Sequence, residues 1–393
     1  MNKKAVIVSA KRTAIGKFGG GLAGVPAVQL GATVIRAVLE ETKLGAAAVE
    51  EVVMGHVLTA GLGQNTARQA ALLAGLPVEV SCFGVNLVCG SGLKAVQLAA
   101  RSIASGHAEV VIAGGQESMS RAPFLIEEMR RGKKMGDASM IDSLLRDGLT
   151  DAYQGYHMGI TAEKVANLHH VSREEQDHFA LESQHRAIKA LEQGRFVDEI
   201  AAVRVSDRQG QWELVKDEGV RAGANYESMA RLKPIFDPAG TVTAANASSI
   251  NDGAAAVMLM SEERAERLGL KPLATVVASE TSGCTPELMG MGPVEAIKKT
   301  LLKANWKLEE LELVELNEAF ASQALAVMEA LQLDSSLTNV NGGAIALGHP
   351  IGASGCRILV TLLHEMRKRQ LSKGLAALCI GGGMGIALAV SCP

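Results

Sequence analysis

Short runs of β-branched residues alternate with alanine- and leucine-rich stretches along the first third of the chain. Ala-Val-Ile-Val-Ser at 5–9 reads as a strand, and 27–42 repeats its apolar residues at helical spacing. Segments 49–54, 66–74, 80–86, 92–105 and 110–114 continue as strand, helix, strand, helix and strand. Strands separated by helices in this way predict an α/β fold. From about 117 to 246 the alternation is lost and charge rises, as in Arg130-Arg131-Gly132-Lys133-Lys134. Helical pieces at 161–168 and 173–193 are joined there by long connections, so the stretch reads as a large insertion.

Beyond it the opening pattern returns. Residues 35–54 match 297–316 at a constant offset, pairing Leu39 with Leu301, Leu44 with Trp306, Val49 with Leu311, Val52 with Val314 and Met54 with Leu316. Gly90-Ser91-Gly92 then falls opposite Ala353-Ser354-Gly355, and Ala113-Gly114-Gly115 opposite Gly381-Gly382-Gly383. The chain therefore reads as two copies of one α/β unit. The first half spans 1–119 and is completed by about 247–270, the insertion occupies 120–246, and the second half is 271–393. Two related halves are expected to pack face to face, with a site where they meet.

Composition narrows the function classes. Hydrophobic residues make up 48% of the 393, but aromatics only 3%, so alanine, valine, leucine and 42 glycines must build closely packed layers. A net charge of −3 offers no basic field for nucleic acid, although an anionic ligand needs only a local patch. Six cysteines are scattered without paired spacing, which argues against a disulfide scaffold, a zinc ribbon or a thioredoxin motif, and no metal site is expected. The opening apolar run is too short for a signal peptide, and no stretch is long enough to span a membrane. A cytoplasmic protein is the expectation.

Two of the cysteines stand in glycine-rich turns far apart in the chain. Cys89 lies in Asn86-Leu87-Val88-Cys89-Gly90-Ser91-Gly92 and Cys379 in Cys379-Ile380-Gly381-Gly382-Gly383-Met384-Gly385. Cys89 directly precedes a helix-forming run, where the macrodipole favours thiolate; a small buried hydrophobe beside a turn is the equal alternative. Cys379 ends a predicted strand and could equally be core. His349, in Gly348-His349-Pro350, sits on a rigid turn suited to mounting a base. Asn317 ends a predicted strand before a helix, as an N-cap would. Gly19-Gly20-Gly21-Leu22-Ala23-Gly24 imitates a dinucleotide fingerprint but stands too far from its strand, so it reads as a loop.

These motifs, together with Asn317-Glu318-Ala319-Phe320 and the run from Asn341-Gly342-Gly343 to Ala353-Ser354-Gly355, resemble those of the thiolase family over essentially the whole chain. Within it the chain is most similar to the short-chain, biosynthetic-type acetyltransferases. The resemblance implies a five-layered α/β/α/β/α core of two duplicated halves, with an inserted loop domain for coenzyme A binding and oligomerisation. It implies a reversible Claisen condensation of two acetyl-CoA to acetoacetyl-CoA and CoA. Cys89 would carry the acyl group, His349 would activate it, and Cys379 would move the α-proton. Asn317 would position a water, and the N–H groups of Cys89 and Gly381 would form an oxyanion hole. His157, Met158, Arg221, Ser228, Met229, Ala244, Ser248, Met289, Ala319 and Phe320 would line the substrate site, with Met158 limiting acyl length. No permanently bound cofactor is implied; a homotetramer, assembled through a loop at 121–135, is. A degradative 3-ketoacyl-CoA thiolase of broader chain length is the alternative, followed by a non-catalytic acyl-CoA-binding relative.

Overall fold

The computed structural model describes residues 3–207 and 210–393. In the first half, strands β1 (Ala5–Thr13), β2 (Glu51–Gly55), β3 (Ser81–Val85), β4 (Val110–Ser118) and β5 (Asn251–Ser261) lie in the order β3-β2-β4-β5-β1. In the second half, β6 (Ala274–Gly283), β7 (Leu313–Leu316), β8 (Lys373–Ile380) and β9 (Met384–Ser391) lie in the order β7-β8-β9-β6. The halves repeat one pairing scheme. Strand β2 is parallel to β4 as β7 is to β8, and antiparallel steps then lead to β5 and β1, or to β9 and β6. The counterpart of β3 is reduced to a single parallel bridge between Val314 and Thr338. The sheets join where Val6 and Ile7 pair with Thr275 and Ala274.

The longer helices are α1 (Ala27–Thr42), α2 (Thr66–Leu73), α3 (Ser91–Ala104), α4 (Met158–Leu168), α5 (Arg173–Glu192), α6 (Gly292–Ala304), α7 (Ala321–Leu331) and α8 (Ile351–Arg369). Side chains alternate across a strand, so each buried strand feeds two layers at once. On β5, Ala254, Ala256, Met258 and Met260 pack with α1 and α2, while Ala255, Val257 and Leu259 face α3 and α8. On β8, Leu375 and Ala377 pack with α6 and α7, while Ala376, Leu378 and Ile380 turn to the same central helices. The order is helix, sheet, helix, sheet, helix.

The middle layer is thin because glycines let its two helices touch. A Cβ on Gly92 of α3 would stand 2.8 Å from the Cys356 nitrogen, and one on Gly355 of α8 would stand 2.5 Å from the Leu93 nitrogen. These two glycines are the aligned pair of the sequence repeat.

Strands β1 and β4 both run four residues past their predicted ends, to Thr13 and Ser118. Their last turns are polar yet buried, a combination that hydropathy alone reads as loop. Each polar residue is matched by a partner that the strand cannot reveal. Arg12 Nε donates to Glu199 (2.6 Å) and its terminal nitrogens donate to both oxygens of Asp217 (2.7 and 2.9 Å). Glu117 accepts from the N–H groups of Val57 (3.1 Å), Leu58 (3.3 Å) and Gly352 (3.0 Å). The insertion also contains two short antiparallel hairpins, Phe124–Leu125 with Ile141–Asp142 and Val203–Asp207 with Gly210–Leu214, where only helices and connections were expected. Met1 and Asn2, the head of the first half as read from sequence, lie outside the described residues. Among the described residues no helix is long and apolar enough to cross a membrane.

Arg12 fastens the insertion to β1, and its removal strands two buried carboxylates. Arg12→Ala is expected to cost about 3–5 kcal/mol of stability, as for other broken buried ion pairs. A urea titration would read this as a lower unfolding midpoint; an unchanged midpoint would show that the three groups do not act as a unit.

Candidate active site

The chain leaves β3 at Val85 and turns through 86–90 before α3 begins at Ser91. Side chains close this turn. Val88 N–H donates to Asn86 Oδ1 (2.9 Å), Leu87 N–H donates to Ser91 Oγ (2.8 Å), and Ser91 Oγ donates to the Val88 carbonyl (2.6 Å). They hold Val88 at φ +45°, a left-handed conformation that costs a β-branched residue about 1–2 kcal/mol. Cys89 follows directly, at the head of the helix.

The second turn comes from the other half. Gly348 has φ +114°, and a Cβ there would stand 2.5 Å from the Asn251 side chain. Glycine lets the His349 N–H reach Asn251 Oδ1 at 2.8 Å. The imidazole Nδ1 lies 2.6 Å from Ser354 Oγ, whose single proton goes to the Pro350 carbonyl at 2.9 Å. Ser354 therefore accepts from Nδ1–H, which leaves the lone pair on Nε2, and Nε2 has no hydrogen-bond partner among the described residues. Burial, with the charge of Arg357 added, lowers the His349 pKa to about 3. The ring is neutral at physiological pH.

Asn317 is fully buried just past β7, and its N–H donates to the Ala377 carbonyl (2.9 Å). Its Nδ2 stands 3.5 Å from His349 Nδ1, while its Oδ1 has no hydrogen-bond partner among the described residues. The N-cap role suggested by sequence does not hold. Helix α7 starts at Ala321, with Phe320 in the capping position and no side-chain cap.

Cys379 lies at the end of β8, ahead of a turn in which Gly382 and Gly383 have φ +86° and +87°. Burial raises its thiol pKa well above the usual range, and the neighbouring Cys89 adds to the effect. Cys89 itself is pushed up to about 11, chiefly by burial, while N–H groups of Gly381 and of Cys89 donate toward its sulfur and oppose the rise. The N–H groups at the turn act in the direction expected from sequence, and burial outweighs them. A helix end contributes about 0.3–1 kcal/mol, whereas full burial shifts a pKa by up to about 3–5 units.

Both cysteines and His349 line one cavity of about 520 Å³, together with Gly381, His157, Met158, Arg221, Ala244, Ser248, Met289, Ala319 and Phe320. His157 caps α4 by accepting from Gly159 N–H (3.0 Å), stacks on Phe236 at 4.4 Å, and is held neutral by burial. Phe236 in turn meets Phe320 edge-on at 6.3 Å. Ser228 and Met229 do not reach this cavity; they line an adjoining pocket of about 320 Å³ that shares Arg221 with it. Asn317 lies behind the wall, reached through His349. A larger groove of about 990 Å³ on α1 contains none of these residues. No group of His, Cys, Asp or Glu among the described residues could hold a metal ion.

Sequence reasoning missed Lys17, Phe18, Ile235 and Phe236, which also line the cavity. One signal was available: the chain has only seven phenylalanines, and Phe18, Phe236 and Phe320 all stand here. Lys17 ends a two-residue strand and Phe18 follows it, in a segment that carries no motif.

Residues 5–263 match the family model of the thiolase N-terminal domain and residues 270–392 that of the thiolase C-terminal domain. The chain belongs to the thiolase family, and its five layers are the thiolase fold. It is 58% identical over 388 residues to a Chromobacterium violaceum protein named acetyl-CoA acetyltransferase, covering 98% of this chain and 99% of that one. A protein of the same name from Cupriavidus necator is 59% identical over 386 residues, with 98% of each chain covered. The crystal structure of Bacillus anthracis acetyl-CoA acetyltransferase superposes with a TM-score of 0.98 at 43% identity, covering 100% of this chain and 99% of that one.

A Cys89 thiol near 11 is protonated at neutral pH, and its reactive thiolate grows with pH until that value is reached. Carboxamidomethylation of Cys89, followed by peptide mass spectrometry, is expected to keep accelerating between pH 8 and pH 10. A plateau near pH 8 would mean that the helix start and the two N–H groups outweigh burial.

Proposed function

We propose that this protein is an acetyl-CoA C-acetyltransferase, which reversibly condenses two acetyl-CoA into acetoacetyl-CoA and CoA. The observation that carries the proposal is the meeting of a half-buried thiol, a buried thiol and one neutral imidazole, drawn from both halves, on a single cavity. In this reading Cys89 attacks the first thioester while His349 Nε2 takes its proton, and CoA leaves with the proton of the Cys379 thiol as the acetyl group passes to the Cys89 sulfur, so that Cys379 is left as the thiolate. Storing the acyl group on the protein divides one hard transfer into two easier ones. Cys379 then removes the α-proton of the second acetyl-CoA, and the carbanion attacks the Cys89 thioester to form the new carbon–carbon bond. The Cys89 sulfur leaves and takes its proton back from His349, which closes the cycle.

Each charge that develops needs a donor in a site kept apolar. The N–H groups of Cys89 and Gly381, both directed at the Cys89 sulfur, suit the oxyanion of the acyl-cysteine. His349, once protonated, and a water held by the unpartnered Asn317 Oδ1 suit the enolate oxygen. His157, Ser248, Ala244 and Arg221 are assigned to the pantetheine and nucleotide of CoA, with Ser228 and Met229 beside Arg221. Met158, Met289, Ala319 and Phe320 form a compact apolar wall that favours a short acyl group.

The same reading makes residues 120–246 the domain for CoA binding and assembly, and the protein a cytoplasmic homotetramer. Exposed apolar side chains on the 121–145 excursion, including Phe124 at 61% and Met135 at 90%, support a subunit contact there.

The deciding experiment is thiolysis of 3-ketoacyl-CoAs of increasing length by free CoA. Turnover confined to acetoacetyl-CoA supports the proposal; equal turnover of long chains moves the protein to the degradative branch. Cys89→Ala is expected to abolish turnover. Cys379→Ala should still take up an acetyl group on Cys89, yet condense roughly 10²–10⁴-fold more slowly, the usual contribution of a positioned base. Normal condensation by that variant would remove Cys379 from the mechanism.

A further inference from the structure

No carboxylate lines the 520 Å³ cavity; its only formal charges are Arg221 and Lys17. Arg221 belongs to the reading above, whereas Lys17 has no part in it. The segment that carries Lys17 is fixed in place. Gly16–Lys17 pairs antiparallel with Asn251–Asp252, and Phe18 N–H donates to the Ile250 carbonyl (3.0 Å). Lys17 N–H donates to Glu218 Oε2 (3.0 Å), and Gly21 N–H donates to both oxygens of the same carboxylate (3.2 and 3.1 Å). Glu218, the acid beside Lys17, is thus engaged by backbone. The Lys17 ammonium has no hydrogen bond or ion pair among the described residues. The Arg221 guanidinium likewise has none among the described residues; only its backbone is engaged, the N–H by Gln184 and the carbonyl by Ala224 N–H.

Two uncompensated cations on the lining of an otherwise apolar cavity, in a chain of net charge −3, select an anion at that rim. We propose that Lys17 is a substrate-binding residue that pairs with the phosphates of the CoA thioester opposite Arg221, with Phe18 as the apolar flank beside it. Phe18 is 55% exposed next to Lys17, an aromatic surface that a bound carrier would cover. The assignment rests on CoA thioesters being the substrates, but Lys17 is distal to the chemistry and can fail alone. It is a point charge, so arginine should replace it while glutamate should not.

The test measures CoA binding to the full-length protein by calorimetry, beside steady-state thiolysis with two substrate pairs. One pair is acetoacetyl-CoA with CoA, and the other is acetoacetyl-pantetheine with pantetheine, which lacks every phosphate. For K17E the CoA Kd and the KM for acetoacetyl-CoA are expected to rise roughly three- to tenfold, the range of an exposed ion pair followed by charge reversal. The kcat should hold, K17R should stay within about twofold, and the defect should shrink as salt screens it. Pantetheine kinetics should be unchanged. An unaltered CoA Kd in K17E overturns the proposal, as does an equal KM rise for both pairs, which would mark Lys17 as structural. Wild-type protein that binds CoA but turns over neither pair would overturn the reaction assigned above, while the CoA Kd values still decide the role of Lys17.

Discussion

The cavity exists because the starts of two central helices touch backbone to backbone. Gly92 and Gly355 leave no room for a methyl group against the opposing helix, and Gly115 of β4 comes equally close to the Gly352 carbonyl. A single added methyl in such a contact forces backbone shifts that cost about 1–3 kcal/mol. The Glu117 carboxylate adds direction to this contact. It accepts from Val57 and Leu58 in its own half and from Gly352 at the start of the opposite helix. Cys89 lies just before one helix and His349 just before the other, so the approach of the helices carries both onto the same cavity.

Burial then sets the protonation state. Both cavity thiols are pushed up and both imidazoles down, so every titratable group of the proposed acyl chemistry is neutral at rest. A proton can move from thiol to imidazole without a standing ion pair being broken first. The low dielectric that makes an isolated charge costly also strengthens the N–H groups that meet one as it forms. Elsewhere burial is tolerated by pairing, as at Arg12, where two carboxylates surround one guanidinium. The cavity and the interior thus use opposite solutions to the same desolvation cost.

Much of this was legible in the chain. Strands and helices of the first half showed as alternating apolar runs, and the duplication as a constant offset that also carried the glycines. The polar ends of β1 and β4 were not legible, since Arg12 and Glu117 are strand residues only because Glu199, Asp217 and Gly352 meet them from distant segments. Asn317 looked like a helix cap, and the structure instead buries it beside His349 with three residues between it and α7. Glycine-rich turns pointed to Cys89, His349 and Cys379, because backbone geometry of that kind is written locally. Lys17 and Phe18 carried no such mark.

The sequence by itself determined the α/β class, the two related halves and the residue types able to do thiol chemistry, because periodicity and turn composition are local properties. Only the tertiary structure decided which residues share a cavity and which of their protons are held. Those properties depend on desolvation and on contacts between segments hundreds of residues apart, and no local pattern encodes them. The raised thiol of Cys89 is the clearest case: the helix start that sequence places beside it favours thiolate, and the enclosure that only folding supplies reverses the outcome.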